Sequence, residues 1–123
     1  MCGLPTWFEA AIERDDGPSF RVTLQGRTLA YTAWNDDGEP ITIQVSPPPQ
    51  AWRDFLTALE ALALWQWTPQ YGATATPVTR WYIELAAPGR QINTAGADAF
   101  PVGDAFPGFC AALRILLGAL DFR

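Results

Sequence analysis

Between Ala51 and Tyr71 the chain reads AWRDFLTALEALALWQWTPQY, the stretch that restricts the fold most narrowly. Trp52, Phe55, Leu56, Leu59 and Leu62 recur on one helical face, an apolar stripe that must be buried against a second layer. From Leu64 onward the helical pattern fails. Gln66 falls where the stripe should continue, and Trp65 and Trp67 alternate around it as side chains do on a strand. The stretch therefore predicts a core helix running into an aromatic strand, over a sheet supplied by the rest of the chain. A Trp side chain buries on the order of 150–250 Å², so Trp52, Trp65 and Trp67 put the centre of the core here.

Period-two alternation supplies that sheet. Phe8, Ala10 and Ile12 alternate with Glu9, Ala11 and Glu13, which favours a strand over a short helix across residues 7–14. Phe20, Val22 and Leu24 follow, then Leu29, Tyr31 and Ala33 against Ala30, Thr32 and Trp34, then Ile41, Ile43 and Val45. The segments between them, Asp15-Asp16-Gly17-Pro18, Gln25-Gly26 and Asn35 to Pro40, carry turn chemistry, so the first half predicts an antiparallel meander. Ser46 as an N-cap with Pro47-Pro48-Pro49 behind it leads into the first helix, which explains the prolines better than a polyproline ligand does. Residues 68–77, with Pro69, Gly72 and Pro77, form a looser segment.

The clearest strand of the chain comes next, with Trp81, Ile83 and Leu85 on one face and Tyr82 and Glu84 on the other. Pro88-Gly89 turns it into a returning strand with Ile92 inward, and a tight loop over residues 95–101 leads to a last helix. That helix carries Phe109, Ala112, Leu113, Leu116, Leu117 and Leu120 on its stripe, with Asp104 as cap and Pro107 in its first turn. The expected architecture is one α+β domain over residues 1–123. It is a two-layer sandwich, a mainly antiparallel sheet of five to seven strands with two helices on one face.

Three short patterns resemble those of a family of small uncharacterised bacterial proteins. They are Trp65-x-Trp67-x-x-x-Tyr71, Trp81-x-Ile83-Glu84-Leu85, and Gly96-x-Asp98-x-Phe100-Pro101 ahead of the helix that contains Phe109. The resemblance covers roughly residues 46–118 and includes the helix around Trp52 and Phe55. The family's loop reads Gly-Ser-Asn-Ala-Tyr-Pro, so Asp98 and Phe100 are departures, as is Val78-Thr79-Arg80 in place of Asp-Gly before the strand Trp. The resemblance implies the fold and carries no activity with it.

The 123 residues contain no histidine, which removes the commonest general base, nucleophile partner and metal ligand together. Neither GxGxxG nor GxxxxGK[ST] occurs, and Cys2 and Cys110 have no CxxC spacing, so no cofactor or metal is expected and Cys110 reads as a buried structural thiol. The amino-terminal residues lack a basic segment followed by an apolar one, and no apolar run approaches the length of a membrane span, so the expected compartment is the cytoplasm, with no membrane partner. A net charge of −5 with no Lys argues against nucleic acid and favours a basic protein partner.

With both helices on one face, alternation leaves Arg21, Thr32, Trp34, Thr42, Gln44, Tyr82 and Glu84 on the other. A face of Thr, Gln and Arg is ordinarily just solvated. Trp34 and Tyr82, with Arg21, Gln44 and Glu84 around them, make it a candidate binding surface, because Trp, Tyr and Arg are enriched among interface anchors. The sequence thus supports non-enzymatic binding of another macromolecule, in the manner of a small bacterial inhibitor or immunity-type protein. The alternative, from another class, is a small-ligand or histidine-free enzyme domain using the carboxylates Glu84 and Asp98.

Overall fold

Alternation carries the first half of the chain into four consecutive antiparallel strands: β1 (Trp7–Arg14), β2 (Ser19–Gln25), β3 (Thr28–Trp34) and β4 (Ile41–Val45). Helix α1 (Pro49–Ala61) follows, then strands β5 (Gln70–Tyr71), β6 (Thr79–Ala87) and β7 (Arg90–Ala97), and helix α2 (Ala105–Leu116). The computed structural model describes residues 5–15, 17–34, 39–72, 76, 78–101 and 103–122. Cys2, Asp16, the turn residues Asn35 to Gly38, and residues 73–75 and 77 of the looser segment lie outside the described residues.

The seven strands form one sheet in the order β4-β3-β2-β1-β6-β7-β5, antiparallel except where β5 joins β7. β6 pairs with β1 along eight residues, from Trp7 opposite Ala86 to Arg14 opposite Thr79, and so closes the two halves of the chain around a shared centre. Phe8, Ala10 and Ile12 of β1 and Trp81, Ile83 and Leu85 of β6 point to one face and are buried. Both helices cover that face. Phe8 meets Trp52 and Phe55 of α1 edge-on at 6.4 and 5.5 Å, and Trp81 packs against Phe106 of α2 at 4.8 Å. The α1 stripe is as expected, with Trp52, Phe55 and Leu59 buried and Leu56 and Leu62 packed against the core. A Cβ on Gly108 of α2 would lie 2.8 Å from Leu62 Cδ2, so the glycine permits the close approach of the two helices.

Three local expectations are corrected. The aromatic strand over Trp65-Gln66-Trp67 is a turn of 3₁₀ helix (Leu64–Gln66), entered through a left-handed Ala63 at φ 55°. Side-chain partners outweigh so short an alternation: Leu64 is wholly buried, the Trp67 indole N–H donates to the Leu62 carbonyl at 3.1 Å, and the Trp67 ring meets Trp81 edge-on. Trp65 instead lies under the guanidinium of Arg90, which pairs with Glu60 of α1. Second, Pro48 occupies the N-cap position of α1 without a side-chain cap, while Ser46 Oγ lies 3.3 Å from Thr28 Oγ1. Third, α2 ends before Leu120. Gly118 at φ 74° closes it with paired bonds from Gly118 N to Ile115 O and from Ala119 N to Arg114 O, the Schellman pattern. The chain then returns over the core, where Phe122 is buried against Phe20 at 5.8 Å and Tyr31 Oη donates to the Asp121 carbonyl at 2.6 Å.

Strand β4 forms one edge of the sheet beyond the reach of the helices, leaving Ile41 57% exposed. Among the described residues no helix is long and apolar enough to cross a membrane.

Candidate functional site: the helix-free sheet face

Strand register fixes which side chains share the uncovered face. Arg21 of β2, Ala11 of β1 and Tyr82 of β6 stand opposite one another in adjacent strands, and one row along stand Thr23, Glu9, Glu84 and Asn93. Trp34 ends β3 opposite Ser19 and turns towards the same face, where the Arg21 guanidinium lies 5.7 Å from its ring centre. The face brings Arg21, Trp34, Tyr82 and Glu84 together. Gln44 shares it from the edge strand, four strands from Glu84 and so roughly 19 Å away.

The aromatics are half-buried, less open than alternation alone implies. Tyr82 Oη donates to Glu9 Oε2, and the small Ala11 between Tyr82 and Arg21 is only 2% exposed. Burial first, and then the hydrogen bond to Glu9, push the Tyr82 phenol well above its ordinary value, so it remains a donor through the physiological range. A second bond runs the opposite way across the same pair of strands, from Trp7 Nε1 to Glu84 Oε1 at 3.2 Å, with Trp7 39% exposed. Trp7 and Glu9 belong to the site although sequence reasoning did not single them out. Their signal was the β1 alternation itself, which sends the neighbours of Phe8 and Ala10 to this face.

Glu9 and Glu84 are thus directly opposed carboxylates on neighbouring strands, an arrangement that places Cβ atoms about 4.5–5.5 Å apart and is unfavourable for like charges. Each is held by an aromatic donor on its diagonal, and neither forms a salt bridge among the described residues. Arginine carboxylate pairing occurs further along, where Arg80 lies 3.9 Å from Glu13 and 3.3 Å from Asp15. Between these groups is a depression of about 230 Å³ lined by Glu13, Arg14, Ser19, Arg21, Trp34 and Arg80.

Asp98 is elsewhere and does other work. Its carboxylate accepts bonds from the backbone N–H groups of Val78 and Thr79 at 2.8–3.1 Å, which fastens the loop after β7 to the start of β6. Glu84 lies five residues along β6 from Thr79, roughly 16 Å by strand rise, so the Glu84 and Asp98 pair of the alternative reading does not form. The other residues of that loop serve the same clamp. The Trp81 indole N–H donates to Ala99 O at 2.8 Å, the Phe100 ring stacks on Trp81 at 6.1 Å, and a Cβ on Gly96 would fall 2.1 Å from Trp81 Nε1. Tyr71 covers the indole from β5 at 5.8 Å. The Trp81, Gly96, Asp98 and Phe100 pattern is therefore one device that seats an indole flat across β7.

Among the described residues no three Cys, Asp or Glu side chains are grouped so as to hold a metal ion. Compared with known proteins, the chain matches no protein-family model and no curated protein.

Proposed function

We propose that the protein binds a basic macromolecular partner through the helix-free sheet face and catalyses no reaction there. The observation that carries this reading is the opposed pair Glu9 and Glu84, flanked by Tyr82 and the exposed Trp7. Two like charges directly opposite on adjacent strands destabilise a sheet, whatever bonds each carboxylate accepts. A Lys or Arg side chain supplied by a partner would relieve that repulsion and lie against two aromatic rings, the usual surroundings of an interface anchor. The net charge of −5 would steer such a partner towards the surface. Small size, acidity and a binding face without catalytic groups agree with a role as a small bacterial inhibitor or immunity-type protein, acting in the cytoplasm.

Quantitative affinity capture from the native host tests this, with Trp34→Ala and Tyr82→Ala set beside Ile115→Ala. Ile115 is 76% exposed on α2, on the opposite side of the molecule, and serves as the control. A basic protein retained by the parent and by the control, and lost with both sheet-face variants, supports the reading. Retention by all four proteins refutes it.

A further inference from the structure

Strand β4 ends the sheet with one edge open: it is hydrogen-bonded to β3, and no other described strand pairs with it. The register sets Ile43 opposite Tyr31 and Val45 opposite Leu29, so Ile41, Ile43 and Val45 belong to the helix side of the sheet, where Leu29 and Tyr31 are buried. Ile41 and Ile43 nevertheless stand 57% and 37% exposed. Sheet edges are ordinarily guarded by a charge, a proline or a bulge, because their free N–H and C=O groups are a template for any further strand. Between Ile41 and Val45 there is no charge and no proline, and the pairing with β3 runs through all five residues without a bulge. Four of the five side chains are β-branched, the type that best fits a paired strand.

From this edge we infer that the chain forms a symmetric dimer in which β4 pairs antiparallel with β4 of a second copy, joining the two sheets into one of fourteen strands, seven from each copy. The strand's own sequence fits that occupant. A two-fold axis at Ile43 pairs all five residues, with Ile43 opposite Ile43, Ile41 opposite Val45 and Thr42 opposite Gln44, so aliphatic meets aliphatic on the helix side and polar meets polar on the other. Charge agrees with the same register. Carried two residues outwards, it sets the partner's Glu39 opposite Pro47, and the β3 and β4 pairing carried equally far sets Arg27, in the turn between β2 and β3, on the other side of Pro47. Arg27 lines a depression with Pro47 and Trp52, which puts it on the helix side, the side that alternation gives Glu39 together with Ile41. Two strand spacings separate the backbones, roughly 10 Å, a span that an Arg and a Glu side chain cover between them. Both residues are exposed, and neither forms a salt bridge among the described residues. Symmetry supplies the pair twice. Five paired residues make a small interface, so the dimer is a reversible one.

Sedimentation equilibrium on the full chain measures the dimer independently of what the helix-free face binds. A reversible dimer with a Kd of about 100 μM or tighter is expected. Ile43→Lys sets two cations directly opposite each other at the axis and should weaken it at least about tenfold while keeping the parent's near-UV spectrum. Glu39→Arg and Arg27→Glu should each weaken it about tenfold, and the double variant should recover the parent's affinity. Cross-linking tests the register separately, in a Cys2→Ser chain. Residues directly opposite on antiparallel strands are within disulfide reach, so under mild oxidation Ile43→Cys should give a covalent dimer at least about tenfold faster than Ile115→Cys, at an exposed site on α2. A parent that stays monomeric at about 1 mM would overturn the inference. So would a folded Ile43→Lys that dimerises as the parent does, equal cross-linking of the two Cys variants, or charge variants whose effects do not cancel in the double variant.

Discussion

Replacing Gly96 by Ala should destabilise the protein by about 3 kcal/mol, and the sign of the effect is the informative part. In an ordinary strand the exchange is favourable by roughly 0.5–1 kcal/mol, because glycine loses more backbone freedom on folding. Here the new Cβ would fall 2.1 Å from Trp81 Nε1 and 2.4 Å from the Ala99 carbonyl oxygen. Trp81 cannot step aside cheaply, since it is 2% exposed and in ring contact with Trp67, Tyr71, Phe100 and Phe106. Overpacking of this kind costs about 1–3 kcal/mol, and breaking the bond from the indole to Ala99 leaves a buried donor unpaired for about 1–3 kcal/mol more. The sum exceeds the entropic gain several times over. Urea melts of Gly96→Ala, Trp81→Phe and the double variant measure it. The smaller ring of Trp81→Phe leaves room for the Cβ, so the double variant should cost at least about 1 kcal/mol less than the sum of the two single changes. A stabilised Gly96→Ala, or strict additivity, would refute the claim that this glycine exists to seat the indole.

Three further outcomes follow from the same packing. Trp52→Ala and Trp81→Ala should each cost about 3–5 kcal/mol in urea melts, since both rings are buried among other aromatics; a cost under 1 kcal/mol for both would mean the buried faces are misassigned. The Cys110 thiol is pushed up to about 11 from an ordinary 9.0, chiefly by burial, so the folded state holds its proton where the unfolded chain has lost it. That contribution is fully present below pH 9 and declines between pH 9 and 11, on the order of 2 kcal/mol in all, and the stability of Cys110→Ala should be correspondingly flatter across that window. On the sheet face, Trp34→Ala should stay within about 1 kcal/mol of the parent, and Tyr82→Ala should cost about 1–2 kcal/mol because its ring covers Ala11 and its hydroxyl holds Glu9.

Most of the fold was legible because its strands are half-buried and alternate over five residues or more, as at β1, β2, β3, β6 and β7. Trp65 and Trp67 misled for the converse reason: three residues of alternation carry too little signal against the capping bond from Trp67 to Leu62, and nothing marks Ala63 as left-handed. Gly118 was readable as a helix stop and was counted as part of the helix instead. The membership of the sheet face followed from alternation, but its chemistry did not. Glu9 and Glu84 are opposed only because β6 pairs with β1 across more than seventy residues of sequence, a long-range choice that no local pattern records. Asp98 enters the alternative, enzymatic reading because turn carboxylates and active-site carboxylates are alike in sequence, and its bonds to the amides of residues 78 and 79 show it serving the turn.

Charge reversal at Glu84 tests the central claim most directly, because it separates binding from folding in one protein. In Glu84→Arg the residue opposite Glu9 becomes a cation, so a repulsive cross-strand pair becomes an attractive one and the urea midpoint should hold or rise. Capture of the basic partner from the host should nevertheless fall by about a hundredfold or more, as expected when a like charge is set against an interfacial cation. Undiminished capture by a folded Glu84→Arg would contradict the account, and a fall in stability of more than about 1 kcal/mol would show that the Trp7 bond to Glu84 outweighs the repulsion between Glu9 and Glu84.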